Sequence, residues 1–392
     1  MGKVVLSGKG RRWVEGGHPW IYGDDVAAGE GEAGELVPVH APDMRPLGWG
    51  LFSTHSKICV RMVSRGTEQP NREFWLGVVS KAIRARERAG YLDSEGACRL
   101  LAGDADGVPG FVLDRYADVL VVQSGCQGSD RMRDFLLGLV REVLEIPITA
   151  VLDRSDTGVR KLENLEKHVE WIEGTPREGV LVREGDLHYE VDVIHGHKTG
   201  HYLDQRENRL LAAKHAEGVR ALDAFAYDGL FGIRAALAGA ETVVCLEQSA
   251  SSIQRLLTNA KLNGVEDRVT VEKVDAMTDL RKRATAGEKF GLVMVDPPAF
   301  ARNKREAQGA GRGYRELNLR AAVLTESEGR MVSSSCSYAV RRDEFQGHLA
   351  AAVRDAGRTG WLEHYQGASP DHPQRLNLPE TAYLKCAFLR LD

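Results

Sequence analysis

The sequence lacks several features that would each define a class of protein. None of its 392 residues fall in an apolar run of about 18, the length that a membrane-spanning helix needs. The opening stretch MGKVVLSGKG contains no long apolar segment, so no secretory signal is expected. Cysteine is scarce, with six residues and no CxxC pair, which argues against a zinc ribbon or a disulfide framework. We therefore expect a reduced, cytoplasmic protein without a structural metal.

An excess of positive charge is also missing. The formal net charge is −4, which excludes a globally basic nucleic-acid binder but allows a local basic patch. Residues 1–75 carry nine basic and nine acidic side chains, so charge alone gives no support for RNA binding there. The composition is 43% hydrophobic and 28% charged, as in ordinary globular proteins, and the length predicts two or three domains.

What the chain does contain divides into three patterns. Residues 1–72 hold short β-type runs such as KVVLS and KICVRMV between turn residues, which predicts a small β-barrel-like domain. Residues 73–185 open with a helix and continue as β-β-α-β-β, which predicts a small α+β domain. Residues 186–392 alternate strands and helices, which predicts an α/β domain with a parallel sheet.

Ligands of such sheets bind beyond the carboxyl ends of the strands, so the residues there are the first candidates. The first α/β strand ends in ALDAFAYDGLFG, where Asp223 precedes a turn that contains Gly229 and Gly232. The turn is not G-x-G-x-x-G, so the dinucleotide fingerprint is absent. A strand-end acid before small residues suits a cationic ligand such as S-adenosylmethionine, and a plain tight turn explains this stretch about equally well.

Acidic residues recur at the ends of the next strands. Glu247 in VVCLEQS can accept both hydroxyls of a ribose, and Asp275 in VEKVDAM can accept from an adenine amino group. Glu247 or Ser249 could instead belong to a helix N-cap. Asp296 stands in VMVDPPAF, where two prolines make the chain leave the strand rigidly. Its carboxylate can bind the N–H groups of a planar base, although DPP could also be a structural turn.

The strings KTGHYLDQRENR, LDAFAYDGLFG, CLEQS, KVDAM, VDPPAF and SSSCSY follow one another in an order that resembles the RlmI-like family of bacterial 23S rRNA cytosine-5 methyltransferases. Residues 9–26, KGRRWVEGGHPWIYGDDV, resemble the start of that family's PUA domain, and the β-β-α-β-β middle resembles its central domain. The resemblance covers nearly the whole chain. It implies a C-terminal Rossmann-like class I methyltransferase domain, S-adenosylmethionine as cofactor, and 23S rRNA or a large-subunit assembly intermediate as partner. A homodimer is compatible with it, and neither a metal nor a membrane is implied.

The resemblance also implies a set of cofactor-binding residues. Residues 198–209 would contribute to this pocket from before the first strand, although an ordinary helix start with Asp204 near its N-cap would explain the same sequence. Ala299 departs from the pattern, because members of the family often carry lysine there, which puts in doubt a positive charge at that place. The implied cofactor residues are Lys198, Gln205, Arg206, Asp223, Phe225, Ala226, Tyr227, Gly229, Glu247, Gln248, Asp275, Ala276, Asp296 and Pro297.

Cys336 in MVSSSCSYAV is the candidate nucleophile. Carbon 5 of cytosine becomes nucleophilic only after a thiolate attacks carbon 6, so the reaction needs one cysteine at a strand tip near the donor methyl. Cys336 follows the strand after that of Asp296, and Asp296 would hold the base edge as charge develops. The small serines beside Cys336 would leave room for a base. The sequence shows no second cysteine beside Asp296, and no His or Lys near Cys336 that would favour its thiolate.

RNA contact is predicted just after Asp296. Residues 300–320 carry six basic and two acidic side chains. Basic side chains there can contact phosphates, and an aromatic ring can stack on an exposed base. A solvated basic helix is the simpler alternative. The candidates are Arg302, Lys304, Arg305, Arg312, Tyr314 and Arg315.

Two other functions stay open from the sequence. DPPAF is similar to strings in enzymes that methylate exocyclic amines, which need no cysteine. A non-catalytic rRNA-binding assembly factor with a vestigial cofactor pocket is the second. A nicotinamide dehydrogenase is disfavoured by the missing glycine fingerprint.

Overall fold

The computed structural model describes residues 2–300 and 304–392, except the side chains of residues 304–308 and 310. The chain forms two compact units. The first consists of Met1–Val182, Val191–Leu203 and Pro370–Thr381, and the second of Arg183–Glu190, Asp204–Ser369 and Ala382–Asp392. The predicted domains 1–72 and 73–185 thus fall almost entirely in the first unit. Two segments of the predicted 186–392 domain, 191–203 and 370–381, also fold with it.

The first unit opens with a six-stranded sheet in the order β2-β6-β5-β4-β1-β3. Alternating apolar residues of these strands, among them Val4, Val37 and Val60, form a separate small core. Helix α1, Gly8–Glu15, begins after Ser7, whose hydroxyl accepts a hydrogen bond from the Gly10 N–H. The strands are β1 Lys3–Leu6, β2 Trp20–Tyr22, β3 Val26–Glu30, β4 Leu36–His40, β5 Pro46–Phe52 and β6 Ile58–Ser64.

A five-stranded sheet in the order β11-β10-β9-β8-β7 completes this unit, with helices α2, Arg72–Arg88, and α3, Gln127–Val143. The two strands predicted around DRYAD are present as β8 and β9. Strand β7 was not predicted, so three strands and not two precede helix α3. The strands are β7 Ala97–Ala102, β8 Phe111–Tyr116, β9 Val119–Ser124, β10 Ala150–Asp153 and β11 Glu170–Glu173. Two further strands, β12 Val180–Glu184 and β13 Leu187–Val191, pair only with each other.

The second unit is built on a seven-stranded sheet in the order β16-β15-β14-β17-β18-β20-β19. The first five strands of this order are parallel, and β20 runs antiparallel to both β18 and β19. The strands are β14 Arg220–Ala224, β15 Thr242–Glu247, β16 Val269–Lys273, β17 Phe290–Val295, β18 Thr325–Ser335, β19 Gly360–Gln366 and β20 Lys385–Leu391. The helices are α4 Arg206–Ala213, α5 Leu230–Leu237, α6 Ala250–Leu262, α7 Ala276–Ala286, α8 Lys304–Leu324 and α9 Arg342–Asp355.

Strand β17 lies near the middle of this sheet, and all six residues of its FGLVMV sequence are buried. A strand with helices on both faces has no polar side, which explains the unbroken apolar run. The register of the strands aligns their carboxyl ends. Ala224 pairs with both Leu246 and Val295, and Val295 pairs with Ser333. The residues that follow β14, β15 and β17 therefore lie along one edge of the sheet, called the rim below.

Among the described residues, no helix is both long and apolar enough to cross a membrane.

Candidate active site

The turn after β14 has an unusual backbone. Phe225, Tyr227 and Gly229 have φ angles of 66°, 53° and 83°, in the left-handed region that side chains disfavour. The N–H groups of Phe225 and Ala226 both donate to the Leu246 carbonyl at 3.1 Å, which ties the turn to β15. A Cβ at Gly229 would lie 2.3 Å from Leu256 Cγ, so this position requires glycine for its space as well as for its φ. The rim is thus rigid beside Asp223.

Asp223 is 2% exposed and accepts a hydrogen bond from the Gly232 N–H at 2.9 Å. Burial raises the pKa of its carboxyl to about 7. The bond from Gly232 opposes this rise, and the charges of Asp296, Asp228 and Glu247 add to it. A buried carboxyl with such a raised pKa needs a cation or a donor nearby to ionise readily, which is the environment that an amino group of a ligand can supply.

Glu247 connects two turns of the rim. Its Oε2 accepts from the Tyr227 N–H at 2.9 Å, and its Oε1 accepts from the N–H groups of Gln248 and Ser249 at 2.9 and 2.8 Å. The N-cap of α6 is Ser249. Glu247 is half-buried, so its carboxylate fixes the turns and still reaches the surface.

Asp275 is the N-cap of α7 and accepts from the Thr278 N–H at 2.8 Å. This hydrogen bond lowers the pKa of its carboxyl. Asp275 is exposed and the following Ala276 is buried. One carboxylate oxygen is occupied by the cap, so a contact with an adenine amino group would use the other.

Asp296 directly follows β17 and is held by Gln205. The Gln205 amide nitrogen donates to Asp296 Oδ2 at 2.9 Å and to Ser334 Oγ at 3.2 Å. Its amide oxygen accepts from Asn208 Nδ2 at 2.5 Å, which fixes the orientation of the amide. The cofactor contact predicted for Gln205 stays a prediction, and the structure adds that its amide donates to Asp296. Pro297, the next residue, is buried.

Cys336 lies one residue beyond the end of β18. Val295 pairs with Ser333, so Asp296 is level with Ser334 and Cys336 is two residues further along. Of the three cysteines in the second unit, Cys245 and Cys386 are fully buried and Cys336 is half-exposed. The parallel register therefore brings one accessible thiol to the same rim as Asp296.

The serines around Cys336 bind to helix α8. Ser333 Oγ donates to Asn318 Oδ1 at 2.5 Å, and the Tyr314 hydroxyl lies 2.8 Å from the hydroxyls of Ser335 and Ser337. All four of the flanking serines 333–335 and 337 are buried. These hydroxyls therefore anchor the strand end, and the expectation that the small serines leave room for a base stays a prediction.

The prediction that Tyr314 stacks on a base is wrong. Tyr314 is fully buried, and its ring centroid lies 4.8 Å from that of Phe300 and 5.4 Å from that of Phe345. Tyr338, which the sequence reasoning passed over, is 51% exposed and stands two residues after Cys336. It is the aromatic side chain of this segment that solvent reaches.

Lys385 is the second residue that the sequence reasoning missed. It begins β20 opposite Ser335, is 4% exposed, and its Nζ donates to the carbonyls of Ser337 and Tyr383 at 2.7 and 2.8 Å. Burial lowers the pKa of its ammonium to about 8, and negative charge on Cys336 or Glu344 opposes this shift. The only sequence signal is a lysine inside the apolar string YLKCAFL.

Other predicted site residues have different surroundings. Arg206 is buried, and its guanidinium pairs with Glu184, as does that of Arg209. This placement makes Arg206 part of an internal ion cluster and gives no support to its predicted role in the cofactor pocket. Lys198 belongs to the first unit, where its ammonium lies 4.4 Å from the ring centroid of Tyr202.

The predicted RNA contacts divide into three groups. Arg302 lies outside the described residues, as do the side chains of Lys304 and Arg305. Arg312 is exposed on α8. Arg315 is exposed but pairs with Asp355 of α9.

The rim as a whole suits a charged nucleoside. Asp223, Glu247 and Asp275 offer carboxylate acceptors at the ends of three neighbouring strands. The donor set of S-adenosylmethionine matches these acceptors.

Comparison with known proteins agrees with this geometry. Residues 4–65 match a profile of the PUA-like domain, and residues 146–374 match a profile of the S-adenosylmethionine-dependent methyltransferases. The fold and site are thus those of an S-adenosylmethionine-dependent methyltransferase that carries a PUA-like domain, as the sequence predicted.

The narrower family follows from curated relatives. A protein of Shewanella denitrificans is 36% identical over 395 residues, which cover 99% of each chain, and one of Aeromonas hydrophila is 35% identical over 381 residues, or 95% of each chain. Both bear the name Ribosomal RNA large subunit methyltransferase I. The chain belongs to the family of these proteins.

Solved structures show the same fold. SMU.776, described as a candidate methyltransferase complexed with SAH, superposes with a TM-score of 0.86 at 18% identity, with 100% of both chains covered. A structure of a SAM-dependent methyltransferase from Streptococcus mutans gives a TM-score of 0.83 at 17% identity, again over 100% of both chains. These superpositions confirm the predicted Rossmann-like fold, and the methyltransferase profile over residues 146–374 confirms S-adenosylmethionine as the cofactor.

Proposed function

We propose that this protein transfers a methyl group from S-adenosylmethionine to carbon 5 of a cytosine in 23S rRNA, through a covalent bond between Cys336 and carbon 6. The observation that carries the proposal is the register of β17 and β18, which brings the half-exposed thiol of Cys336 to the rim that holds Asp296. The names of the curated relatives support large-subunit rRNA as the substrate.

The chemistry assigned to Cys336 is a nucleophilic cycle. The thiol loses its proton, and the thiolate forms a bond to carbon 6 of the cytosine, which moves an electron pair to carbon 5. The bound cofactor supplies an electrophilic methyl group on its sulfonium. After carbon 5 has taken the methyl group, a base removes the carbon 5 proton, the carbon 6–sulfur bond breaks, and the thiolate is restored.

Asp296 holds the edge of the target base. One oxygen of its carboxyl accepts from the amino group of the cytosine, and the other, when it carries a proton, donates to ring nitrogen 3 and so stabilises the negative charge that develops when carbon 6 is attacked. Gln205 restricts this carboxylate to one orientation through the bond to Oδ2. Asp223, Glu247 and Asp275 hold the amino group, ribose and adenine of the cofactor.

The rRNA must present its cytosine unstacked, because a base inside a duplex cannot reach a thiol on a sheet rim. Single-stranded rRNA or an assembly intermediate in the cytoplasm fits this requirement. Tyr338 is exposed beside Cys336 and can stack on the extruded base, and Arg312 can contact a phosphate.

The first prediction concerns Cys336. In Cys336→Ala, methyl transfer to 23S rRNA from cells that lack the protein is expected to fall at least ~1,000-fold, because the covalent route is lost. The product is mapped by bisulfite sequencing and mass spectrometry. Cys59→Ala is the matched control, because Cys59 is also half-exposed but lies in the first unit.

A second readout separates the covalent route from the alternatives. RNA with 5-fluorocytidine at the target is expected to stay bonded to the wild-type protein, because fluorine on carbon 5 cannot leave as a proton does, and not to Cys336→Ala. Full transfer by Cys336→Ala onto the exocyclic amine would contradict the proposal in favour of the amine methyltransferase. Failure to bind S-adenosylmethionine in calorimetry would favour the non-catalytic assembly factor.

A further inference from the structure

We infer that Lys385 is the counter-charge of the Cys336 thiolate, and that its ammonium group assists both the attack of this sulfur on the base and its expulsion from the product. The inference rests on the proposed function for the identity of the base. It supplies the cation that the sequence around Cys336 lacks.

The position of Lys385 follows from the antiparallel return of the chain. Lys385 is 49 residues from Cys336 in sequence, but it pairs with Ser335, the residue directly before the thiol. Its Nζ donates to the carbonyl of Ser337, the residue directly after the thiol. The lysine therefore binds the backbone on one side of Cys336 and pairs with the strand on the other.

The Lys385 ammonium has one N–H donor left for a further partner. The carbonyls of Ser337 and Tyr383 take two of its three N–H donors. A lysine that is 4% exposed has few water molecules to satisfy the third. A buried ammonium is unfavourable unless it is paired with an anion. A thiolate at Cys336 is that anion.

The other charged and titratable groups described at this end of the sheet do not replace the Cys336 thiolate as the partner of Lys385. Glu344 of α9 also acts on Lys385, but it already pairs with Arg341 at 3.5 Å. Tyr314 of α8 stays neutral, because burial raises the pKa of its phenol. Asp296 lies on the rim and opposes a thiolate, which makes a local cation more necessary.

The cycle balances with this cation. The proton of the Cys336 thiol leaves to water, and the ammonium stabilises the sulfur anion until its electron pair forms the bond to carbon 6. When the carbon 5 proton has left to a base, the carbon 6–sulfur bond breaks and its electron pair returns to the sulfur beside the same ammonium. Lys385 gains and loses no bond in the cycle, so it acts as a positioning and electrostatic residue.

The test measures the reactivity of the Cys336 thiol against pH in the full-length protein, without RNA. Iodoacetamide alkylates the thiolate only, and peptide mass spectrometry isolates the signal of Cys336 from those of the other five cysteines. Lys385→Met is expected to lower the alkylation rate at pH 7 roughly tenfold or more and to move the midpoint of the profile upward by at least ~1 pH unit. Its kcat is expected to fall similarly and to recover partly at pH 9, with KM for S-adenosylmethionine unchanged.

Two further variants make the result specific. Lys289→Met is the matched control, because Lys289 also donates to a backbone carbonyl in the second unit, that of Val323, and is exposed. Lys385→Gln keeps N–H donors for the carbonyls without the charge, and it replaces Lys385→Met if that variant does not fold. It is expected to show the same upward shift of the midpoint.

An alkylation profile unchanged from the wild type in a folded Lys385 variant would overturn the inference. This outcome is distinct from a failure of the proposed function. If Cys336→Ala still methylates rRNA while Lys385→Met shifts the alkylation profile, the ion pair exists and the covalent mechanism is wrong.

Discussion

At the scale of single residues, the carboxyl groups of the rim differ in how strongly burial opposes their ionisation. Asp223 is buried where only a backbone N–H partly compensates it, and burial raises the pKa of its carboxyl to about 7. Asp275 at the same rim is exposed, and its helix-cap bond lowers the pKa of its carboxyl. The two carboxylates should therefore affect stability in opposite directions as the pH changes.

The prediction for Asp223 follows from its raised pKa. Between about pH 4 and pH 7 the folded state binds more protons at this group than the unfolded state, so its contribution to the unfolding free energy falls as the pH rises through this window. Relative to Asp223→Asn, the wild type is expected to lose roughly 2 kcal/mol of unfolding free energy between pH 5 and pH 8. Urea denaturation at both pH values measures this.

Asp275→Asn serves as the comparison for that measurement. Because the pKa of Asp275 is lowered, its stabilising contribution is already present above about pH 4 and is lost only as the pH falls further. The difference between this variant and the wild type should therefore stay nearly constant from pH 5 to pH 8. A Asp223→Asn variant that behaves in the same way would contradict the prediction.

At the scale of elements, helix α8 holds the end of strand β18 in place through hydrogen bonds. The Tyr314 hydroxyl of α8 binds Ser335 and Ser337, the residues on either side of Cys336. Strand β20 adds Lys385 from the other side of β18. The thiol is thus carried by a segment fixed from two neighbouring elements.

Tyr314→Phe tests this arrangement. Removing the hydroxyl takes a buried partner from two serines, so the unfolding free energy is expected to fall by ~1–3 kcal/mol. We expect kcat to fall as well, with KM for S-adenosylmethionine unchanged, because the thiol is less well held. Tyr365→Phe is the control, since Tyr365 is only half-buried and its hydroxyl donates to the Arg342 carbonyl at 3.2 Å, away from Cys336. Equal losses in the two variants, in urea denaturation and turnover, would count against the role of Tyr314.

At the scale of the whole molecule, binding to RNA must come from local charge, because the net charge is −4. The basic stretch at 300–320 offers less free positive charge to RNA than its six basic residues suggest. Of its described side chains, Arg315 pairs with Asp355 and Arg320 pairs with Glu316. Arg312 is exposed and takes part in none of the ion pairs seen among the described side chains.

Arg312→Ala is therefore expected to weaken binding of a 23S rRNA fragment and to lower the slope of log K against log salt by about 1. Arg315→Ala should change the slope less, because its guanidinium is already paired with a carboxylate. Filter binding or fluorescence anisotropy at several salt concentrations measures both. The reverse order of effects would show that Arg315 and not Arg312 contacts the phosphates.

The sequence was sufficient to predict which residues lie on the rim, because each of them directly follows or ends a strand that can be recognised from neighbouring residues. In a parallel sheet the residue after each strand lies at the same edge, so Asp223, Glu247, Asp275 and Asp296 could be placed together from strand patterns alone. Tyr314 was misassigned because a basic run was taken for a solvated surface, although this side of α8 packs on the core. The bond between Gln205 and Asp296 was not predicted, because the two residues are 91 positions apart in sequence.

The sequence by itself determined the class of fold and the cofactor, and it led to the proposal for Cys336, because these depend on strand ends and on motifs of consecutive residues. Only the tertiary structure decided what surrounds the thiol. An antiparallel strand from the end of the chain pairs Lys385 with Ser335, the residue before Cys336, and no spacing in the sequence encodes that pairing. The physical reason is that a counter-charge depends on distance in space, whereas a motif records distance along the chain.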